Sequence, residues 1–237
     1  MGELRKRFAM LPEEIIRHTL QNTTQYYSEI EDENRDIPQR HFRKRFKGFQ
    51  YRRQNEKVST DYTYFSNKTS QGHNGGQFFH GFTSKKWSFH PLKTESQCTT
   101  ALQDYIREHG APDTMLNDNA QAETGVKWTE ILRDYMIQTR TSEPHHPHQN
   151  QAEPEWGRLS KMVQNCLRVF NAPISLAHWC VKWCCQINNV SARKSLNWQV
   201  PLTVSQGGTP DISHLRFHFY EPIWYFQPTI KSPRTTC

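Results

Sequence analysis

Four carboxylate side chains stand where a metal-dependent reaction could use them. Asp61 lies in a segment rich in β-branched and aromatic residues, where aspartate is rare because its charge fits a half-buried strand poorly. Asp118 ends a short apolar run, and Glu153 and Glu155 stand at the start of a long amphipathic pattern. Each has an ordinary explanation when taken singly: turn chemistry for Asp118 and the helix dipole for the glutamates.

Taken together, the carboxylates predict a site for divalent cations. Ligands of open α/β sheets gather at the carboxyl ends of strands, where Asp61, Asp118 and Glu153 would meet. Three converging carboxylates repel one another unless a cation lies between them. Their hard oxygen atoms favour Mg²⁺ or Mn²⁺. Two such ions about 4 Å apart can activate an attacking oxygen and stabilise a leaving oxygen in a phosphodiester displacement.

The elements that must position these residues form an α/β pattern. Residues 57–66, 75–83 and 85–92 are rich in β-branched and aromatic residues and predict three antiparallel strands. A capping box of Thr94 and Gln97 precedes a helix that should end at Gly110. Strand, helix, strand and two further helices follow, to about residue 193. This order predicts a sheet in which parallel strands join an antiparallel meander through crossover helices.

Composition favours a polyanionic partner. The 237 residues include 30 Lys and Arg against 23 Asp and Glu, a net charge of +7, so nucleic acid is the leading candidate. No amino-terminal apolar run resembles a signal peptide, and the longest apolar stretch, around LAHWCVKWCC, is too short to span a bilayer. We therefore expect an intracellular protein that is not secreted and has no membrane partner.

The cysteine pattern favours buried thiols over a metal site. Six cysteines without a secretory signal suggest reduced thiols. Four of them fall on helical patterns among apolar residues: Cys166, Cys180, Cys184 and Cys185. Three loop histidines, His145, His146 and His148, have no further ligand at a recognisable zinc spacing.

Three regions are predicted along the chain. Residues 1–54 form a basic amino-terminal region with little core signal: a short amphipathic helix after Pro12, then an arm with seven Lys or Arg between Arg40 and Arg53. Interleaved aromatic residues suit phosphate contact and base stacking, whereas a solvated linker is the alternative interpretation. Residues 55–193 form the core. Residues 194–237 are rich in proline and aromatic residues, and LRFHFYEPIWYFQP in this region resembles a strand.

Three motifs, in order, resemble the retroviral-type integrase core: STDYTYFS, LNDNAQAETG and SEPHHPHQNQAEPEWGRL. The resemblance is closest to the integrase segment of copia-type long-terminal-repeat retrotransposon polyproteins. The later TPDISHLRFHFYEPIWY resembles the stretch that follows that core in the same elements, so that the resemblance spans roughly residues 10–230. It implies an RNase H-like fold, a mixed five-stranded sheet flanked by helices, here with a basic amino-terminal extension.

The resemblance also implies an activity. Such a protein is a metal-dependent polynucleotidyl transferase that uses two Mg²⁺ or Mn²⁺ ions to cut element ends and join them to target DNA. By motif match, Asp61 would be the first metal ligand and would bridge both ions, Asp118 the second and Glu153 the third. Water would attack in end processing, and the 3′ hydroxyl in strand transfer. Spacing alone leaves Glu155 open as a rival to Glu153, which Pro154 follows.

Contacts with DNA are expected on both sides of the third ligand and in the basic arm. The candidate residues are Asn119, His148, Gln149, Asn150, Arg158 and Lys161, together with Arg43, Lys44, Arg45 and Lys47 of the arm. The expected partners are element ends, target duplex and further copies of the chain, and joining DNA to a chromosome implies a nuclear location. Two other hypotheses stay open: an inactive nucleic-acid-binding remnant of a retrotransposon polyprotein, with Glu153 displaced by Pro154, and a general nuclease.

Overall fold

The computed structural model describes residues 2–25, 52–117, 125–141 and 150–224. At its centre is a five-stranded mixed sheet with strand order β3-β2-β1-β4-β5. The strands are β1 Arg53–Tyr64, β2 Gly75–Gly81, β3 Trp87–Leu92, β4 Ala111–Asn117 and β5 Gln138–Thr141. Antiparallel pairing joins β1 to β2 and β2 to β3, and parallel pairing joins β1 to β4 and β4 to β5. The predicted mixed five-stranded sheet is confirmed.

Seven α-helices surround the sheet in the described ranges. They are α1 Gly2–Arg7, α2 Glu13–Gln21, α3 Cys98–His109, α4 Val126–Asp134, α5 Ala152–Val169, α6 Ala177–Val190 and α7 Pro201–Gln206. Short 3₁₀ turns precede α3, α6 and α7, at Glu95–Gln97, Ile174–Leu176 and Lys194–Leu196. None of the described helices combines the length and the apolarity needed to cross a membrane.

Local chemistry fixes the ends of α3 as predicted. The capping box of Thr94 and Gln97 is present, with the Gln97 side-chain oxygen accepting hydrogen bonds from the backbone amides of Lys93 at 3.0 Å and Thr94 at 3.4 Å. Gly110 follows the helix with φ +97°, a value that side chains with a Cβ rarely adopt, and its amide donates to the Ile106 carbonyl at 2.9 Å. The chain can therefore leave α3 and enter β4 directly.

The two faces of the sheet pack against different helices. Directly paired residues of antiparallel strands point to the same side, so Asp61, Phe78 and Phe89 share one face. Phe78 and Phe89 each lie 5.7 Å, between ring centroids, from Trp156 of α5. On the opposite face, Phe79 stacks on Tyr105 of α3 at 4.3 Å. Asp61 therefore lies on the face that α5 covers.

The predicted buried helix cysteines are confirmed. Cys166 of α5 and Cys180, Cys184 and Cys185 of α6 are buried free thiols in the core between the sheet and these two helices. Their apolar surroundings explain their burial, since a thiol behaves as a small hydrophobic group.

Two expectations about the chain ends are wrong. The segment before residue 54 was expected to add little to the core, yet Phe8 and Ile16 are 1% and 0% exposed in the same cluster as α5 and α6. The predicted aromatic strand is absent from the described residues up to 224: His218 instead stacks on Phe170 at 4.6 Å, and Phe219 lies 5.9 Å from Trp183. Phe8 is buried in the core, whereas His218 and Phe219 are partly buried against Phe170 and Trp183, a packing that needs no partner strand. The division into residues 1–54, 55–193 and 194–237 stays a prediction.

Candidate active site

Asp61 occupies the central strand of the sheet and is half-buried. It pairs with Phe78 of β2. The neighbouring Thr60 hydroxyl donates to the Phe78 carbonyl at 3.0 Å, and the Thr63 hydroxyl donates to the Gly76 carbonyl at 3.3 Å. Side-chain hydrogen bonds therefore reinforce the backbone ladder on both sides of Asp61 and hold its position.

Asn150 connects the start of α5 to the strand that carries Asp61. Its side-chain nitrogen donates to the Thr60 carbonyl at 3.4 Å, a long hydrogen bond, and its side-chain oxygen accepts from the Ala152 amide at 3.0 Å. The amide thus joins the residue before Asp61 to the residue before Glu153. Asn150 is 6% exposed, and both ends of its amide are engaged within the chain, whereas the sequence predicts a DNA contact for it.

Glu153 is an exposed carboxylate in the first turn of α5. No ion pair or hydrogen bond of its side chain is found among the residues that the structure describes. Pro154 follows without breaking the helix, because the first-turn amides of a helix have no intrahelical partner to lose. The helix geometry therefore leaves Glu153 in place and its charge without a basic partner in the described part of the chain.

The surroundings of Glu155 differ from those of Glu153, because three hydrogen-bond donors contact the Glu155 carboxylate. Arg193 and the Trp87 indole donate to Oε2 at 2.9 and 3.0 Å, and Arg158 donates to Oε1 at 3.0 Å. The side chains of Glu155 and Arg193 are only 12% and 14% exposed. Burial alone would raise the pKa of Glu155, but the charge and the hydrogen bond of Arg193 outweigh it and hold this pKa below its usual value.

The remaining predicted site residues divide into two groups. Arg158 and Lys161 are exposed on α5, and Arg158 keeps 69% of its side chain exposed while it pairs with Glu155. β4 is described as far as Asn117, which is buried. Outside the described residues lie Asp118, Asn119, His148, Gln149, Arg43, Lys44, Arg45 and Lys47.

A second group of potential metal ligands was not predicted. His90, Glu108 and His109 place one ligand atom each within 4.8 Å of one another. This cluster lies on the α3 face of β3, the face opposite Asp61 and two strands away. Sequence spacing gives no hint of it, because His90 approaches His109 only through the packing of α3 on the sheet.

Comparison with known proteins supports the fold. No protein-family model matches the chain, and no curated protein matches it. The HTLV-2 integrase catalytic core domain in complex with magnesium, in its trimeric form, is similar with a TM-score of 0.52 and 18% identity, covering 65% of this chain and 97% of that one.

Two further solved structures agree. The simian T-cell lymphotropic virus intasome in complex with PP2A regulatory subunit B56 gamma gives a TM-score of 0.54 at 19% identity, over 77% of this chain and 63% of that chain. The BIV integrase catalytic core domain gives 0.50 at 12% identity, over 65% and 95%. The chain therefore has the RNase H-like fold of retroviral integrase catalytic cores, as predicted.

Proposed function

We propose that this chain is an integrase-like polynucleotidyl transferase that cuts and joins DNA strands, of the kind encoded by copia-type retrotransposons. The observation that carries the proposal is the Asn150 amide, which joins Thr60 to Ala152 and so brings the helix turn of Glu153 to the strand of Asp61. The similarity to integrase cores supports the fold in which this pair would work.

Asp118 completes the proposed ligand set. The parallel register pairs Ser59 of β1 with Leu116 of β4, and Asp61 and Asp118 each follow that pair by two residues. A strand that continued in this register would present both aspartates on the face covered by α5. We therefore propose Asp61, Asp118 and Glu153 as the carboxylates that hold the metal ions.

Glu153 is proposed as the third ligand in preference to Glu155. A metal ion binds a carboxylate best where no arginine already neutralises it, and Glu155 is paired with Arg193 and Arg158. Withdrawing Glu155 toward a metal would leave Arg193 nearly buried and without its charge partner, which is costly. Glu153, in contrast, could bind a cation without breaking an ion pair of the described structure.

The donor set fits two Mg²⁺ or Mn²⁺ ions, because all three proposed ligands are carboxylates. When bound, such ions would activate the attacking oxygen and stabilise the leaving oxygen. The chain itself would contribute position: the hydrogen-bonded strand orients Asp61, and Asn150 fixes the start of α5. Arg158 and Lys161, exposed on the following turns, would bind DNA phosphates and hold the scissile strand near the carboxylates.

The proposed partners are element ends, target duplex and further copies of the chain, with action in the nucleus, where chromosomal DNA is joined. The net charge of +7 supports a DNA partner. An oligomer is supported by the trimeric form of the HTLV-2 core, although that assembly is a property of that protein.

The test is a strand-transfer assay on duplexes with randomised terminal base pairs, with Mg²⁺ or Mn²⁺, in which joined products are sequenced. Asp61→Asn and Glu153→Gln should each lower product yield at least about a hundredfold, the scale expected for a catalytic electrostatic group. Glu130→Gln, an exposed change on α4, is the matched control. DNA binding without any products from the unmodified chain would favour an inactive remnant, and full activity in Asp61→Asn would refute the carboxylate site.

A further inference from the structure

We propose that His90, Glu108 and His109 bind Zn²⁺ or a similar transition-metal ion, in a site distinct from the carboxylates around Asp61. The ligand atoms of all three residues lie within 4.8 Å of one another. Paired strands lie about 4.8 Å apart, so β3 is about 10 Å from β1, and the cluster is on the other face of the sheet. It cannot belong to the proposed DNA-joining site.

The two imidazoles are held in place by rigid elements. His90 is 8% exposed in β3, and its ring lies edge-on to Phe79 at 5.6 Å. His109 is the last residue of α3, and the ring of Tyr105 contacts it at 5.0 Å and His90 at 6.4 Å. Packing therefore orients both rings without help from a ligand, which lowers the entropic cost of binding an ion.

The two ring nitrogens converge on one point. The Ser88 hydroxyl oxygen lies 3.1 Å from His90 Nε2 and 3.0 Å from His109 Nε2. Glu108 Oε2 is 3.9 Å from His109 Nε2, and its side chain is 51% exposed, so it can rotate closer. Ligand atoms about 2.1 Å from a tetrahedral zinc ion are about 3.4 Å apart. Binding therefore requires the ligand atoms, now within 4.8 Å of one another, to move closer together and the Ser88 hydroxyl to turn away from the two nitrogens.

The chemical types of the three ligands favour a transition-metal ion over Mg²⁺. Two imidazoles and a carboxylate are the three protein ligands of many open zinc sites, with water in the fourth position. Imidazole nitrogen suits Zn²⁺, Cu²⁺ or Ni²⁺, whereas Mg²⁺ prefers oxygen. Burial lowers the pKa of His90 to about 4 and that of His109 to about 3, so both rings are neutral near pH 7 and carry a lone pair.

The positive charge of Lys86 should weaken metal binding, so its removal provides a further test. Its Nζ lies 3.1 Å from His109 Nδ1. An ammonium group there donates to Nδ1 and leaves the ring proton on Nε2, which then donates to the Ser88 hydroxyl. Metal binding at Nε2 would move that proton to Nδ1, where it would face Lys86. Removing the lysine charge should therefore favour the metal.

The experiment measures Zn²⁺ affinity of the full chain by competition with a chromophoric chelator and identifies the ligands with Co²⁺. Cobalt bound by imidazole and carboxylate lacks the strong near-ultraviolet absorption of a cobalt–thiolate site, which separates the cluster from the cysteines. We expect one Zn²⁺ equivalent at the cluster, at least about tenfold weaker binding in Glu108→Gln and His109→Gln, and tighter binding in Lys86→Met.

Matched variants decide the outcome. Glu108 is exposed, so that Glu108→Gln should fold normally, and Glu130→Gln removes an equivalent charge elsewhere. Joint replacement of His145, His146 and His148 by Ala should leave this affinity unchanged. Unaltered affinity in both Glu108→Gln and His109→Gln, or loss of the site with the three loop histidines, would overturn the proposal. The readout is metal affinity, not DNA joining, so either proposal can fail without the other.

Discussion

Glu153 and Glu155 show how two residues of the same type can acquire different tasks. About 100° of rotation per residue sends side chains two positions apart to nearly opposite sides of a helix. Glu155 therefore meets Trp87 and Arg193, where its charge is neutralised, whereas Glu153 is exposed in the first turn. One carboxylate stabilises the packing of α5, and the other is the one that we propose as a metal ligand.

A pair of substitutions separates these tasks. Glu155→Gln should lower the free energy of unfolding by about 3 kcal/mol, because it leaves the nearly buried Arg193 without its charge partner. Glu153→Gln should change it by less than about 0.5 kcal/mol, because the side chain is exposed. Urea denaturation measures both. Equal stability losses in the two variants would contradict the division of roles.

His80 makes the stability of the fold sensitive to acid. It is fully buried on the α5 face, and burial lowers its pKa to about 4, so the unfolded chain binds more protons than the folded chain between the usual pKa of 6.5 and about 4. Stability should fall in this window as the pH is lowered, by up to about 1.4 kcal/mol per pH unit for this group.

His80→Leu should remove that contribution, so the free energy of unfolding changes less between pH 6 and pH 5 than in the unmodified chain. Phe78→Leu, which alters packing on the same face of the sheet without removing a titratable group, is the control and should leave the slope unchanged. An identical slope in His80→Leu and the unmodified chain would show that His80 does not titrate in this way.

Two secondary-structure elements, α5 and β1, are joined beside the proposed carboxylate site. The contact depends on the two ends of the Asn150 amide: one end caps the first turn of α5, and the other donates to Thr60. Because capping and tethering use different atoms, they can be separated by substitution.

Asn150→Ala should lose both functions, with a stability cost of about 1 kcal/mol and at least about tenfold lower strand transfer. Asn150→Ser keeps an oxygen that can cap the helix but is too short to reach Thr60, so it should recover stability without recovering activity. Thermal unfolding and the strand-transfer assay measure the two effects. Full activity in Asn150→Ser would show that the hydrogen bond to Thr60 does not position Glu153.

Most elements could be predicted because their signals are local. β-Branched and aromatic residues marked the antiparallel strands, and Thr94, Gln97 and Gly110 marked the ends of α3. The contacts that define the sites could not be predicted in this way. The pairs Asn150–Thr60 and Arg193–Glu155 join residues 90 and 38 positions apart. Packing of α5 on the sheet brings the first pair together, and packing of α5 against α6 brings the second.

In the whole molecule, the amino-terminal segment has two parts: one contributes apolar residues to the core, and the other is a basic arm. Residues 2–25 include α1 and α2, and buried Phe8 and Ile16 join the core of α5 and α6. A periodic apolar pattern predicted α2. Phe8 stands among charged residues without such a pattern, so its burial in the core was not predicted. The basic arm around residues 43–47 lies outside the described residues, and its DNA contact stays a prediction.

The arm can be tested through the salt dependence of duplex binding. Replacing Arg43, Lys44, Arg45 and Lys47 by Ala should reduce the slope of log affinity against log salt by up to about 3.6, because each lost phosphate contact removes about 0.9. Replacing four exposed cations elsewhere, Arg107, Lys127, Arg133 and Arg168, gives an equal loss of net charge as the control. A slope left unchanged by the arm substitutions would remove the arm from the interface.

The most direct test of the central claim is a crystal structure of the chain soaked with Mn²⁺, with the ions located by anomalous scattering. We expect manganese within about 2–2.6 Å of carboxylate oxygens of Asp61, Asp118 and Glu153, while Glu155 keeps its ion pair with Arg193. Carboxylates of Asp61 and Glu153 that lie too far apart to share the ions, or manganese bound by Glu155 in place of Glu153, would contradict it.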